Sequence, residues 1–287
     1  MIPFLPLFLA LTVQSASPKK LESPPLSLTF GVYQSEKATV MYRSFTPVIE
    51  ALTESMEAKL QRPVDVKLAI FNNYDEGIES LVTGKVDFVR FGPSSYILAK
   101  EKQAGLQLIA METEGGDKRF QGAVFVRKDS PIQKLSDLKG RKFAFGDQNS
   151  TIGRYLIQAE LVKAGITSGD LGGYKYLGRH DTVVKAVEVG DFDAGSAMLS
   201  IVEKQNAKGQ FRILSTFENV TKPWVARKGL DRSTVEAIEQ GLCSIKDQAL
   251  LKELKITGFV PTSEKEYDFV REGMKLAERF EAPPSGQ

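Results

Sequence analysis

Ile78-Glu79-Ser80-Leu81-Val82-Thr83-Gly84-Lys85-Val86-Asp87-Phe88-Val89 has a counterpart later in the chain, Val184-Lys185-Ala186-Val187-Glu188-Val189-Gly190-Asp191-Phe192-Asp193-Ala194-Gly195. In both, an apolar helix end runs into a glycine, the residue best able to close a helix in the left-handed conformation. After two intervening residues an aspartate opens a short strand. One helix-to-strand corner is thus written twice, which predicts two similar α/β lobes. Lobes that face each other leave a cleft, and closure of one on the other encloses a small ligand.

Outward from the first corner, the pattern alternates strand and helix. Strands are expected over 26–32, 64–70, 86–91 and 106–111. Helices fall between them, the first carrying Phe45, Val48, Ile49, Leu52, Met56 and Leu60 at helical spacing, with Ser44 as its cap and Pro47 in its first turn. Around the second corner the series repeats, with strands over 122–127, 142–145, 174–177, 194–197 and 211–214 and helices over 151–164, 182–189 and 201–207. Such alternation predicts mostly parallel sheets flanked by helices. Two amphipathic helices near the carboxyl end need a sheet to pack on, so the chain is expected to return to its starting lobe. Lobe 1 then comprises 26–121 and 223–287 and lobe 2 comprises 122–222, joined by a two-stranded hinge near 121–126 and 218–226.

Composition removes several function classes. Lys plus Arg number 38 against 36 Asp plus Glu, without a basic block interleaved with aromatics, so no nucleic-acid partner is expected. Cys243 is the only cysteine and His180 the only histidine, which rules out an intramolecular disulfide and any Cys/His metal cluster; no metal or cofactor is expected. Residues 1–17 read as an export signal: 1–13 is almost wholly apolar, too short to span a bilayer, and gives way to Gln14-Ser15-Ala16-Ser17. With no cysteine at that junction, the mature protein is expected free in the periplasm, without a lipid anchor, as a monomer.

In an open parallel sheet, ligands sit beyond the carboxyl ends of the strands, where helix amino ends present free N–H groups. Four strand-to-helix corners carry small polar residues suited to that role: Tyr42-Arg43-Ser44, Phe91-Gly92-Pro93-Ser94-Ser95-Tyr96, Gly146-Asp147-Gln148-Asn149-Ser150-Thr151-Ile152-Gly153, and Gly178-Arg179-His180-Asp181. Each alone is ordinary helix capping or a surface histidine. Together they offer neutral donors for a tetrahedral oxyanion.

The order of Tyr42, Asp87-x-x-x-Phe91-Gly92-Pro93-x-x-Tyr96, Gly146-Asp147-x-x-Ser150-Thr151-x-Gly153, His180-Asp181 and Gly190-x-x-Asp193-Ala194-Gly195 resembles the phosphate, phosphite and phosphonate substrate-binding proteins of ABC transporters, a branch of the two-lobed type II periplasmic binding proteins. The resemblance covers 26–277. It implies that Ser150 and Thr151 hold the phosphoryl oxygens, that Tyr96 and His180 complete the pocket with Tyr42 and Ser94 or Ser95, and that Gly153 lets backbone approach the ligand closely. It also implies an inner-membrane permease as partner and no catalysis. Ala197-Met198-Leu199 stands where relatives that hold an ammonium are expected to carry acidic or polar groups, so an inorganic or short alkyl oxyanion is expected. Two other readings remain open: a sensory component handing its ligand state to a receptor, and a hydrolase using Ser150, His180 and Asp181. The hydrolase lacks a Gly-x-Ser-x-Gly elbow, and adjacent His and Asp orient each other poorly.

Overall fold

The computed structural model describes residues 24–34 and 37–281; the expected export signal, residues 1–17, lies outside the described residues. In chain order, β1 (Leu26–Tyr33), α1 (Ala38–Leu60), β2 (Val64–Phe71), α2 (Tyr74–Val82), β3 (Phe88–Arg90), α3 (Pro93–Lys102) and β4 (Gln107–Thr113) alternate. The chain crosses through residues 114–118 into β5 (Arg119–Arg127), β6 (Lys142–Phe145), a π-helical turn (Thr151–Leu156) that continues as α4 (Ile157–Lys163), β7 (Gly173–Tyr176), α5 (His180–Glu188), β8 (Ala194–Met198), α6 (Leu199–Gln205) and β9 (Phe211–Val220). It returns through residues 221–222 to β10 (Pro223–Ala226), α7 (Arg232–Ser244), α8 (Gln248–Glu253), β11 (Gly258–Val260) and α9 (Asp268–Ala277).

Two mixed sheets result, ordered β11-β4-β10-β3-β1-β2 and β7-β6-β8-β5-β9. Without the edge strand β11 the two orders are equivalent. Each has three parallel strands, β2-β1-β3 or β7-β6-β8. Beside them lies one antiparallel strand, β10 or β5, that has just arrived from the other sheet. A strand entering from outside is not bound by the helical crossover that makes neighbours parallel, which accounts for the reversal.

The repeated corner performs the same task in both sheets. Gly84 (φ +74°) and Gly190 (φ +85°) take the left-handed conformation. Asp87 Oδ2 then accepts from the amide of Thr29 at 2.8 Å, and Asp193 Oδ2 accepts from that of Lys142 at 2.8 Å. The aspartate amides answer with bonds to the carbonyls of the same two residues, at 2.9 and 3.0 Å. Each aspartate therefore sets where the third strand begins to pair with the first. Arg227 lies against Gly84 and Arg127 against Gly190, each at the end of its lobe's antiparallel strand.

Helices cover both faces of each sheet. On the first, Trp224 is fully buried and stacks on Phe30 (centroids 4.5 Å apart, planes at 10°) under α1 and α7. Among the described residues no helix is long and apolar enough to cross a membrane.

The structure departs from the sequence reading in four places. Helix α1 starts at Ala38 with Lys37 as cap, so Ser44 and Pro47 lie inside it; Met41 extends the buried stripe of Phe45, Val48, Ile49, Leu52 and Met56 by one turn and draws the helix back. The crossing falls at residues 114–118, because Gly122 to Val126 already pair with β8. Residues 246–258, read as a connector, contain α8, whose Leu251 is buried, as are Leu254 and Ile256 just beyond it. Finally, the described part of the carboxyl-terminal segment, residues 223–281, does not pack on the first sheet alone. Tyr267 and Val270 are in its core, but Phe280 is buried in the other, 5.5 Å from Phe145 and 5.8 Å from Tyr174. The apolar residues of this segment face both ways, so it forms a strap across the two lobes.

Candidate functional site

Between the sheets lies a cavity of about 290 Å³. Its walls come from the carboxyl ends of the parallel strands and the helices that follow: Tyr33 ending β1, Tyr74 opening α2, Gly92 and Pro93 opening α3, Ser150 and Thr151 opening the π-helical turn, and His180 opening α5. Helix amino ends thus converge from both lobes, each with a partial positive charge.

Ser150 caps its helical turn, its Oγ accepting from the Gly153 amide at 2.9 Å. The amides of Thr151 and Ile152 are the first two of that turn and have no acceptor within it. Opposite stand two phenols. Tyr33 and Tyr74 stack with centroids 3.8 Å apart. The Tyr33 hydroxyl accepts from the Gly92 amide at 2.5 Å and pairs with Ser95 Oγ at 3.3 Å, and the Tyr74 hydroxyl lies near Ser150. Burial pushes both phenols above their ordinary pKa, so at neutral pH they are protonated donors.

The lobes touch directly at this polar end. The Ser94 amide donates to Thr151 Oγ1 at 2.9 Å, and Ser94 Oγ donates to the Asn149 carbonyl at 2.6 Å. With the Ser94 proton so committed, the 2.8 Å contact between the two hydroxyls has Thr151 as donor. Asn149 Nδ2 adds a bond to Asp75 Oδ1 at 2.7 Å.

Charged groups form the floor. Arg90 makes a two-pronged ion pair with fully buried Glu112, at 2.5 and 2.9 Å, and Trp224 Nε1 donates to the same carboxylate at 3.1 Å. Burial alone would lower the Arg90 pKa; the carboxylate outweighs it. Lys222 Nζ sits 3.7 Å from Glu114 and 4.6 Å from the centre of the Phe120 ring. Burial pulls the ammonium pKa down and the Glu114 pKa up. His180 is pushed down to about 4, first by burial and then by Lys222, so its imidazole is neutral at pH 7. Its Nδ1 is buried without a hydrogen-bond partner among the described residues.

The structure therefore brings together Ser150, Thr151 and His180 on the cavity wall, with Ser94 and Ser95 fully buried just behind it. Three expected residues stand elsewhere. Tyr42 is 59% exposed on the outer side of α1, because the earlier start of the helix places it off the buried stripe. Tyr96 turns away from the cleft to pack on Tyr267 at 5.1 Å, its hydroxyl facing Arg271 and Glu264. Gly153, off the cavity wall, sits at a backbone crossing: a Cβ there would lie 2.7 Å from Gly146 Cα. The sequence reading passed over Tyr33, Tyr74, Arg90 and Lys222. Tyr33 ends β1, Tyr74 opens α2 and Arg90 ends β3, all recoverable from position; Lys222 owes its place to the return crossing and left no local signal. Among the described residues no group of His, Cys, Asp or Glu is arranged to hold a metal ion.

Residues 30–267 match the family described as ABC transporter, phosphonate, periplasmic substrate-binding protein. The chain belongs to this family. Relatives include the phosphate-import protein PhnD of Mycolicibacterium smegmatis, 24% identical over 281 residues that cover 87% of this chain and 85% of the relative. The probable phosphite-binding protein PhnD1 of Prochlorococcus marinus is 27% identical over 278 residues, covering 88% and 91%. A crystal structure of PhnD1 from that organism in complex with methylphosphonate superposes with a TM-score of 0.77 at 21% identity, covering 88% of this chain and 98% of the other. That likeness establishes the two-lobed fold.

Proposed function

We propose that the protein captures a tetrahedral oxyanion of the phosphate, phosphite or phosphonate type in the interlobe cleft and delivers it to an inner-membrane ABC permease. The observation that carries this is the pair of amides at Thr151 and Ile152, without an acceptor among the described residues, beside a cavity lined by the neutral side chains of Tyr33, Tyr74, Ser150 and His180. Such a site stabilises an anion by hydrogen bonds and helix dipoles with no countercharge needed at the headgroup. The names of the relatives, which carry phosphate and phosphite, support the same ligand class. In this reading residues 1–17 direct export, the lobe of 26–121 and 223–287 closes on that of 122–222, and the mature protein is a soluble periplasmic monomer.

Binding without turnover fits the side chains. The Asp181 carboxylate is held by Arg179 at 2.9 and 3.0 Å, leaving His180 Nδ1 without the carboxylate that would orient a catalytic base.

Calorimetric titration with phosphate, phosphite and methylphosphonate tests the reading. At least one is expected to bind, with Ser150→Ala weakening it by tenfold or more, the effect of one lost charge-assisted hydrogen bond at about 1.5–3 kcal/mol. A folded protein silent towards all three overturns it.

A further inference from the structure

The polar end occupies only part of the cavity. Its volume of about 290 Å³ corresponds to about ten waters at ~30 Å³ each, whereas a headgroup of one central atom and four substituents displaces about two or three. Much of the remaining wall is carbon, from Val40, Met41 and Phe45 of α1, Met198 and Ile201 where β8 passes into α6, and Leu254 just after α8, with the charged Arg43, Lys204, Lys252, Glu253 and Lys255 at its mouth. Met41, Phe45 and Leu254 are buried; Val40, Met198 and Ile201 are half-buried. Both lobes contribute, so closure folds this wall around whatever extends from the headgroup. Water against the apolar part of that wall would find few polar partners, and a bare oxyanion would leave it unused.

Resting on the oxyanion reading above, we infer that the preferred ligand is a phosphonate whose phosphorus carries an apolar alkyl or aryl substituent of about four to seven carbons, the bulk that the remaining volume admits. The headgroup docks on the amides of Thr151 and Ile152 while the substituent lies along Met41, Phe45, Met198, Ile201 and Leu254. Selectivity over inorganic phosphate then comes from the substituent alone, since both present the same oxygens to the polar end.

Calorimetry of the purified mature chain with phosphate and with methyl-, propyl-, butyl- and phenylphosphonate tests this. Affinity is expected to rise about fourfold for each added methylene, the gain from burying one CH₂ group. Propylphosphonate is expected to outbind 2-aminoethylphosphonate, its isostere with an ammonium in place of the methyl group. Ile201→Trp, checked for folding by thermal melting, fills the wall and is expected to flatten the series. Binding of phosphate or methylphosphonate with a flat or falling series overturns the inference and leaves the oxyanion reading standing. So does a preference for the ammonium isostere, or an unchanged series in folded Ile201→Trp. Silence towards every compound removes the oxyanion reading and the inference with it.

Discussion

His180 shows how one residue's surroundings set a pH limit for the whole protein. Its pKa is pushed from the ordinary 6.5 to about 4 by burial and by Lys222. Between those values the unfolded chain binds a proton that the folded chain refuses, so stability is full above pH 6.5 and falls as the pH drops towards 4. The loss from this group amounts to about 3 kcal/mol at most. Urea unfolding at pH 7.5, 6.0 and 5.0 is expected to show a steeper decline for the native protein than for His180→Gln, and parallel declines would contradict the assignment. Tyr33 and Tyr74 are shifted upward, so they do not titrate in this range.

Two elements repeat, and the repetition is open to test by substitution. The aspartate of each helix-to-strand corner accepts from the first parallel strand, Asp87 from Thr29 and Asp193 from Lys142. Asp87 also receives Arg227 Nε at 2.9 Å, a bond for which Asp193 has no counterpart among the described residues. Replacement by alanine is expected to cost about 1–3 kcal/mol at either site, with Asp87→Ala the larger, in chemical denaturation. The π-helical turn depends on a different contact. A methyl group at position 153 would meet Gly146 Cα at 2.7 Å, backbone against backbone, with no flexible side chain to yield. Gly153→Ala is therefore expected to destabilise by about 1–3 kcal/mol and to weaken oxyanion binding, because the amides of Thr151 and Ile152 move with the turn. A neutral outcome in both measurements would show that the crossing tolerates expansion.

At the scale of the whole molecule, the cleft joins a neutral binding end to a basic mouth. Arg43 from the first lobe, Lys204 from the second, and Lys252 with Lys255 beyond the hinge line the entrance, alongside Glu253. A cluster of one sign raises the encounter rate of an oppositely charged ligand, and salt screens the effect. The double variant Lys204→Glu, Lys252→Glu is expected to slow association about tenfold at low ionic strength, with the difference fading near ~1 M salt, where the Debye length is about 3 Å. Stopped-flow association rates across a salt series provide the check, and an equal slowing at all salt concentrations would argue against steering. The strap ending at Phe280 gives the molecule a third link between lobes besides the two crossings. Those crossings are bound to each other, the Thr221 amide donating to Lys118 and its hydroxyl to the Glu112 carbonyl.

The sequence alone determined the two lobes, their alternating elements and the helix start at Ser150 and Thr151. Each of these follows from local rules, the glycine that ends a helix, the period of apolar residues and the hydroxyl that caps a turn. Only the tertiary structure decided which polar residues meet. Tyr96 follows Ser94 by two positions, and at roughly 100° of rotation per residue that places it on the opposite face of α3. Tyr42 was lost to the cleft once packing of Met41 moved the start of α1. Arg90, Glu112 and Lys222 come from β3, β4 and the return crossing, far apart in sequence, and join only because the antiparallel strand β10 is inserted between β3 and β4. Helix phase and strand order arise from long-range packing, which no short stretch of the chain encodes.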